Sequence, residues 1–347
     1  MRIFIKECVI SSVFISVVIA VRNEKQHIAK CIESLFNQDY DEYEVIVVDG
    51  MSDDGTYEVL QELQKKYDFK LLRNEKKNAA AGRNIGIDEA KGDAIAFIDG
   101  DAIAAKNWLS SIKKAFEKSN AIGVGGPDLL PEDSEYKARA IGLVMTSPLA
   151  RGGRFNPSTQ HAMMEKERYV EHIPTCNLCL KKEIFDEVGK FDENFVKGQD
   201  LELNYRIVKA GYKLFYSPSI QVTHYRKQHI RHFARQIYKW AKAKAAIIKK
   251  HGMQGITSHI YLWPAYALIA FLLLFSFCLL FNLMQLFSLL LFLGLLFYSF
   301  IILFESARIS NKYGDKKLFL YAILLFPLIH ISYAYGIMIA LMRKKIW

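Results

Sequence analysis

Two carboxylates stand one residue apart in "AIAFIDGDA" (94–102), where Asp99-Gly100-Asp101 ends an apolar run. Unpaired carboxylates are costly away from water, so a cation is expected beside them. The spacing suits a hard divalent ion, Mg²⁺ or Mn²⁺, that keeps open positions for phosphate oxygens. Such an ion neutralises a diphosphate and makes it a better leaving group. A lone D-x-D is more often a solvated turn; its place at a strand end gives it weight here. Asp49 closes another apolar run, "YEVIVVDG" (43–50), where a nucleoside could lie across a sheet. Asp53 and Asp54 beyond it read as an acidic turn capping a helix. Arg83 in "AAGRN" is aimed at phosphate or at a surface salt bridge. Asp200 in "GQDLEL" is either a helix N-cap or a general base for a hydroxyl nucleophile, and the residues alone leave both open.

The elements that must position these groups alternate through residues 1–125. Strands are expected at 13–21, 43–50, 69–74 and 93–100, with helices at 25–38, 55–67 and 80–91. This order implies an α/β domain with a mostly parallel sheet, whose ligands gather beyond the C-terminal strand ends. Arg22-Asn23-Glu24, Asp49-Gly50 and Asp99-Gly100-Asp101 all fall there. Residues 126–198 are less regular and read as loops bordering an acceptor, with a short helix and turn at 181–195. A helix at 198–214 and an edge strand at 214–225 follow.

The chain has 347 residues, a formal net charge of +10 and 23 phenylalanines. Residues 260–304 contain no Asp, Glu, Lys or Arg. One helix of that length would reach about 67 Å, more than twice the hydrocarbon core, so the run reads as two spans, 260–281 and 283–304, turning near Asn282. Residues 318–342 make a third, bent at Pro327. Before them, residues 225–251 carry nine Lys or Arg and no Asp or Glu, with apolar residues at helical spacing. A basic amphipathic helix next to membrane spans belongs on an anionic membrane face rather than on nucleic acid. The domains expected are therefore 1–225, 226–256 and 257–347. The segment 8–21 has a signal-like composition, but Arg22-Asn23-Glu24 replaces a cleavage site, and it reads as the first strand. The domain then stays cytoplasmic. The basic residues of 305–317 agree with the positive-inside tendency, whereas the basic tail, placed outside by three spans, does not. Five cysteines include one C-x-x-C, Cys176 and Cys179, which reads as packed thiols in a reducing compartment.

The ordered set "VRNE" (21–24), "VVDGMSDDGT" (47–56), "AAGRNIG" (80–86), "FIDGDA" (97–102), "KFDENF" (190–195) and "GQDLELNYR" (198–206) resembles the family 2 glycosyltransferases of GT-A fold. The likeness covers roughly residues 13–225, and the apolar tail resembles membrane-attached members acting on exopolysaccharide or polyprenyl-linked intermediates. It implies a nucleotide pocket from Val21, Arg22, Glu24 and Asp49, with Arg83, Asp99 and Gly100 near the donor. It also implies Asp101 and His224 at a Mn²⁺ or Mg²⁺ ion, and Asp200 as catalytic base. Gln199 replaces the more usual Glu before that base. "QIYKW" (236–240) is similar to the Q-x-x-R-W of processive synthases, with Lys239 for Arg, so Gln236, Lys239 and Trp240, together with Gln199, would approach acceptor or diphosphate. The expected reaction is single, inverting transfer from a UDP- or GDP-sugar to a lipid-linked acceptor. Processive synthesis, transfer to polyprenyl phosphate, and an inactive adaptor on the same scaffold are the alternatives. A nucleotidyltransferase is disfavoured because "VIAVRNEKQHIA" lacks a Gly-rich loop.

Overall fold

The computed structural model describes residues 13–131, 134–151, 164–225, 230–253 and 259–343. In chain order the elements begin β1 (Ile15–Val21), α1 (Ile28–Leu35), β2 (Tyr43–Asp49), α2 (Thr56–Gln64), β3 (Lys70–Arg73), α3 (Ala79–Glu89), β4 (Ala94–Phe97) and β5 (Ala102–Ala104). Next come α4 (Trp108–Lys118), β6 (Gly123–Gly125), β7 (Asp128–Leu129), α5 (Tyr136–Met145), α6 (Pro148–Arg151), β8 (Arg168–Val170), β9 (Leu178–Lys181), α7 (Ile184–Val188) and α8 (Gln199–Lys209). The chain ends with β10 (Leu214–Tyr216), β11 (Val222–His224), α9 (Ile230–His251), α10 (Trp263–Leu280), α11 (Met284–Tyr313) and α12 (Lys316–Met342). Two compact units result: Met1–Leu129 with Met163–His224, and Leu130–Ala162 with Tyr225–Trp347.

The first unit is a largely parallel sheet in the order β3-β2-β1-β4-β9-β6-β10-β8. The first four strands are mutually parallel, as the alternation of apolar strands and helices predicts. β1 is buried on both faces, which explains its unbroken run of Ile, Val and Ala. Ile15, Val17 and Ile19 face a core shared with α1 and α4. Val18 packs on the other side with Ile46, Phe97 and Leu203. β9 enters antiparallel between β4 and β6, a strand that the irregular reading of 126–198 does not contain. α3 lies close on β1 because Gly86 has no side chain: a Cβ there would come within 2.3 Å of Val18 Cγ1. That approach carries Arg83 toward the strand ends.

The segment 214–225 is two strands rather than one edge strand. β10 lies inside the sheet between β6 and β8, and β11 is the middle strand of a second sheet, β5-β11-β7. Pro218 offers no N–H to continue a ladder, and the chain turns there, with Ile220 N donating to Ser217 O. The helix expected over 198–214 ends at Lys209, followed by Gly211 at φ 90°.

In the second unit, α10, α11 and α12 are each long and apolar enough to cross a membrane. Asn282, at φ 57°, makes the tight turn between α10 and α11. α12 continues through Pro327 and packs against α9 and α11. The hydrophilic segment 305–317 is not a loop: α11 runs to Tyr313, and only Gly314 and Asp315 separate it from α12. Arg308 donates to Glu305 one turn earlier at 2.7 Å, and Ser147 donates to the same carboxylate, so these polar residues are satisfied within a helix. Asp315 closes the turn by accepting from Lys317 N and Leu318 N.

Candidate active site

The C-terminal ends of three adjacent strands bring Val21, Asp49 and Arg73 side by side in register. Asp49 is fully buried. Its Oδ2 meets Arg73 Nη1 at 3.1 Å and accepts from Ser52 N at 3.1 Å. Its Oδ1 is buried with no hydrogen-bond partner. A buried carboxylate oxygen left without a donor is expensive, and its natural complement is a ligand N–H. The Arg73 guanidinium also lies 3.9 Å from the centre of the Tyr57 ring. Neither Arg73 nor Tyr57 stands out in the sequence; the only signal is Arg73 at the end of a short strand.

Beyond β1, Arg22 is exposed and Glu24 is partly buried. The loop that holds them is clasped to the loop after β2. Asn23 Nδ2 donates to Asp53 at 2.8 Å, and Asp53 N donates back to Asn23 Oδ1 at 3.0 Å. Glu24 N donates to Thr56 Oγ1 and Lys25 N to Asp54. Asn23 and Met51 both take positive φ, 59° and 56°, a strained choice for methionine. The acidic turn therefore joins two loops. It does not supply the N-cap of α2, because Gly55 occupies that position at φ 95°. Asp54 accepts from Thr56 N–H, Thr56 Oγ1–H and Lys25 N–H. Burial works against its ionised form, but these donors outweigh it and hold its pKa below the usual Asp value.

Asp99, Gly100 and Asp101 form the turn between β4 and β5, closed by Ala102 N donating to Asp99 O at 3.0 Å. Gly100 is needed there, since a Cβ would come within 2.7 Å of Val21 Cγ2. The buried Arg83 donates to Asp99 Oδ1 at 3.0 Å and to Gln199 Oε1 at 2.9 Å. Arg83 thereby joins the carboxylate turn to the start of α8. The pairing of β11 with β5 sets His224 opposite Ala102, beside Asp101. His224 Nε2 is 3.1 Å from Asp101 Oδ1, and Nδ1 is 3.7 Å from Asp128 Oδ2. Burial disfavours charge on both partners. The hydrogen bond and charge of His224 nevertheless hold Asp101 below the usual carboxylate range, and Asp101, Asp128 and Cys176 hold His224 well above the usual histidine value. Cys31, Cys176 and Cys179 are free buried thiols, and burial pushes Cys176 up to about 12.

Ligand atoms of Asp99, Asp101 and His224 lie within 4.8 Å of one another. Two carboxylates and an imidazole are a donor set that Mn²⁺ accepts readily, and the buried His224 Nδ1 turned toward Asp128 fits an imidazole oriented from behind. The residues fit a divalent ion. A second grouping, Asp128, Cys176 and His224, shares the same imidazole.

Asp200 lies in the first turn of α8, but Gly198 is the N-cap, at φ 76°. Asp200 Oδ1 accepts from Leu201 N at 2.8 Å. Its other oxygen is 4.0 Å from Nε2 of the buried His172, a neighbour that the sequence reading does not include. Gln199 donates to Phe195 O at 2.8 Å as well as accepting from Arg83. Gln236, Lys239 and Trp240 belong to α9, in the second unit, where Trp240 packs against a cluster that includes Ile141, Phe233 and Leu325.

Residues 16–189 match the model of "Glycosyl transferase family 2". A dolichyl N-acetyl-α-D-glucosaminyl phosphate 3-β-D-2,3-diacetamido-2,3-dideoxy-β-D-glucuronosyltransferase of Methanococcus voltae is 33% identical over 264 residues, spanning 72% of this chain and 78% of the relative. Glycosyltransferase AglE of Haloferax volcanii is 30% identical over 211 residues, 60% of this chain and 65% of AglE. The solved mannosyltransferase PcManGT of Pyrobaculum calidifontis, in complex with GDP-Man and Mn²⁺, superposes with a TM-score of 0.62 at 16% identity, over 94% of this chain and 87% of that one. With the strand-end carboxylates and the apolar C-terminal helices already in place, the chain belongs to the family 2 glycosyltransferases of GT-A fold.

Proposed function

We propose that the protein transfers one sugar from a nucleoside-diphosphate sugar, UDP- or GDP-linked, to a lipid-linked acceptor at the membrane face, with inversion at the anomeric carbon. One observation carries this reading: Arg83 binds both Asp99, in the carboxylate cluster, and Gln199, the residue before Asp200. Groups suited to a diphosphate and to a general base are thereby parts of one network.

In this reading the free Oδ1 of Asp49 accepts an N–H of the nucleobase, while Arg73 pairs with Oδ2 and holds the carboxylate in place. Arg22 and Glu24 flank the nucleoside on a loop fixed by Asp53 and Asp54. A divalent ion, Mn²⁺ or Mg²⁺, held by Asp101 and His224 with Asp99 would neutralise the diphosphate and ease its departure. Asp200 removes the proton of the acceptor hydroxyl as its oxygen attacks the anomeric carbon. One displacement inverts the configuration.

The acceptor assignment draws on the three apolar helices and on the dolichyl phosphate-linked sugar in the name of the Methanococcus relative. The exposed Arg231 and Arg235 of α9 are assigned to the anionic cytoplasmic leaflet. Gln236, Lys239 and Trp240 are assigned to that side of the reaction.

The test is a donor screen with the full chain in detergent. UDP- and GDP-sugars are supplied with Mn²⁺ or Mg²⁺ and either polyprenyl phosphate or polyprenyl-phosphate-linked N-acetylglucosamine. Sugar incorporation into the lipid phase with an inverted linkage supports the reading. Products of growing length, or donor binding without turnover, overturn it.

A further inference from the structure

We propose that His172 is a positioning residue for Asp200, held by Asn204 in the tautomer that carries its proton on Nε2. The proposal rests on the reading of Asp200 as the base. Asp200 and Asn204 are one turn apart on α8 and so share a face. His172 reaches both of them from the segment after β8.

Asn204 sets the tautomer. Its Nδ2 donates to Ile173 O at 2.8 Å; this orientation leaves Oδ1 buried without a partner, but a flipped amide would set oxygen against oxygen at Ile173. The same NH₂ group lies 2.9 Å from His172 Nδ1. An amide NH₂ only donates, so Nδ1 is the acceptor and the neutral ring carries its proton on Nε2. Nε2 lies 4.0 Å from Asp200 Oδ2. This is longer than a hydrogen bond. Catalytic hydrogen bonds are often long in unliganded enzymes and tighten when substrate binds.

The division of roles follows from exposure. The His172 side chain is 3% exposed and cannot reach an acceptor, whereas that of Asp200 is 22% exposed and can. Leu201 N–H holds one carboxylate oxygen, and a His172 N–H that closes on the other when substrate binds would restrain it. The carboxylate then presents its remaining lone pairs in one orientation. A general base gains rate from such fixation because small misplacements of a reacting group are costly.

Two-bond ¹H–¹⁵N spectra of the ¹⁵N-histidine-labelled full chain in detergent test the tautomer. The His172 signal is assigned by its loss in His172→Gln, or in His172→Asn where the first variant does not fold. The expected result is a neutral ring protonated at Nε2. Asn204→Leu should remove that preference, and Asp200→Asn should shift the Nε2–H resonance. A ring protonated at Nδ1, or a resonance indifferent to Asp200→Asn, overturns the proposal.

Turnover supplies the second readout, using the donor and acceptor active in the screen above. His172→Asn should lower kcat at least tenfold with donor KM within twofold. His172→Gln places an amide N–H near the Nε2 position and should recover most of the rate. Equal loss in both variants overturns the positioning role. If the spectra are as expected but Asp200→Asn still transfers at the native rate, the base assignment fails and the tautomer assignment stands.

Discussion

Arg83 donates to the side-chain oxygen of Gln199 at 2.9 Å, inside the protein and across more than a hundred residues of chain. Gln199 uses its amide nitrogen for Phe195 O. One side chain thus satisfies a buried cation and a buried carbonyl together. Gln199→Leu removes one of the two side-chain acceptors of Arg83 and the amide that donates to Phe195 O, and should cost about 2 kcal/mol of stability. Denaturant unfolding of the full chain in micelles measures it. A change within about 0.5 kcal/mol would show the link to be dispensable.

Asp200→Asn keeps the shape of the side chain and the Leu201 N–H contact but removes the basic oxygen. Transfer to a hydroxyl acceptor should fall by about 10² or more, with donor affinity within a factor of about three. Isothermal titration with the nucleoside diphosphate and a radiolabelled transfer assay separate the two effects. Native turnover in the variant excludes Asp200 as the base.

The first half of the fold is legible because β1, β2 and the helices between them are long enough to repeat a pattern. β6, β7, β9 and β11 have two to four residues each, too few for any periodicity, so their places depend on tertiary pairing. Pro218 and Gly211 are visible in the sequence as breakers, but nothing local says that the strand after Pro218 joins a different sheet. The site divides the same way. Asp49, Asp99 and Asp101 stand at the ends of readable strands and announce themselves. Asp128, His172 and Asn204 do not, because each acquires its meaning from a partner in a distant segment. Asp200 was ambiguous between cap and base for a local reason: only the backbone shows that Gly198 holds the cap position.

The β5–β11 ladder sets His224 Nε2 3.1 Å from Asp101 Oδ1, the pair proposed to hold the metal. His224→Ala should weaken Mn²⁺ binding by about tenfold or more, in keeping with the usual cost of disturbing a metal site. Titration of free Mn²⁺ by electron paramagnetic resonance reads this without any substrate. Chelation of divalent ions should abolish transfer, and added Mn²⁺ should restore it. Unaltered Mn²⁺ affinity in the variant would place the ion elsewhere.

Asp54 gives a pH-dependent contribution of definite sign. Its folded pKa lies below the ordinary Asp value because Thr56 and Lys25 donate to the carboxylate. A depressed carboxylate stabilises the fold above its unfolded pKa and loses that contribution as pH falls through the folded value. Asp54→Asn should therefore be less stable than the native chain at neutral pH. The gap should narrow as pH drops below about 4. Melting temperatures of both proteins across this range check it, and a gap independent of pH would mean that the clasp does not depend on the charge.

Asp49 combines an ion pair with a vacant acceptor atom, so its substitutions separate two effects. Asp49→Asn keeps the volume but weakens the hold on Arg73, and it presents an amide that can turn a donor toward the nucleobase. Breaking a pair in which only Asp49 is buried costs stability, here on the order of 1 kcal/mol because Arg73 is exposed. Nucleoside diphosphate affinity should fall by a further factor of about ten, the weight of one charge-assisted hydrogen bond. Arg73→Gln disturbs the same pair from the other side but leaves the free oxygen of Asp49 in place, so it should lose stability with a smaller loss of affinity. Titrating UDP and GDP into both variants makes the comparison. Equal losses of affinity would show that Asp49 acts on the nucleotide only by holding the loop.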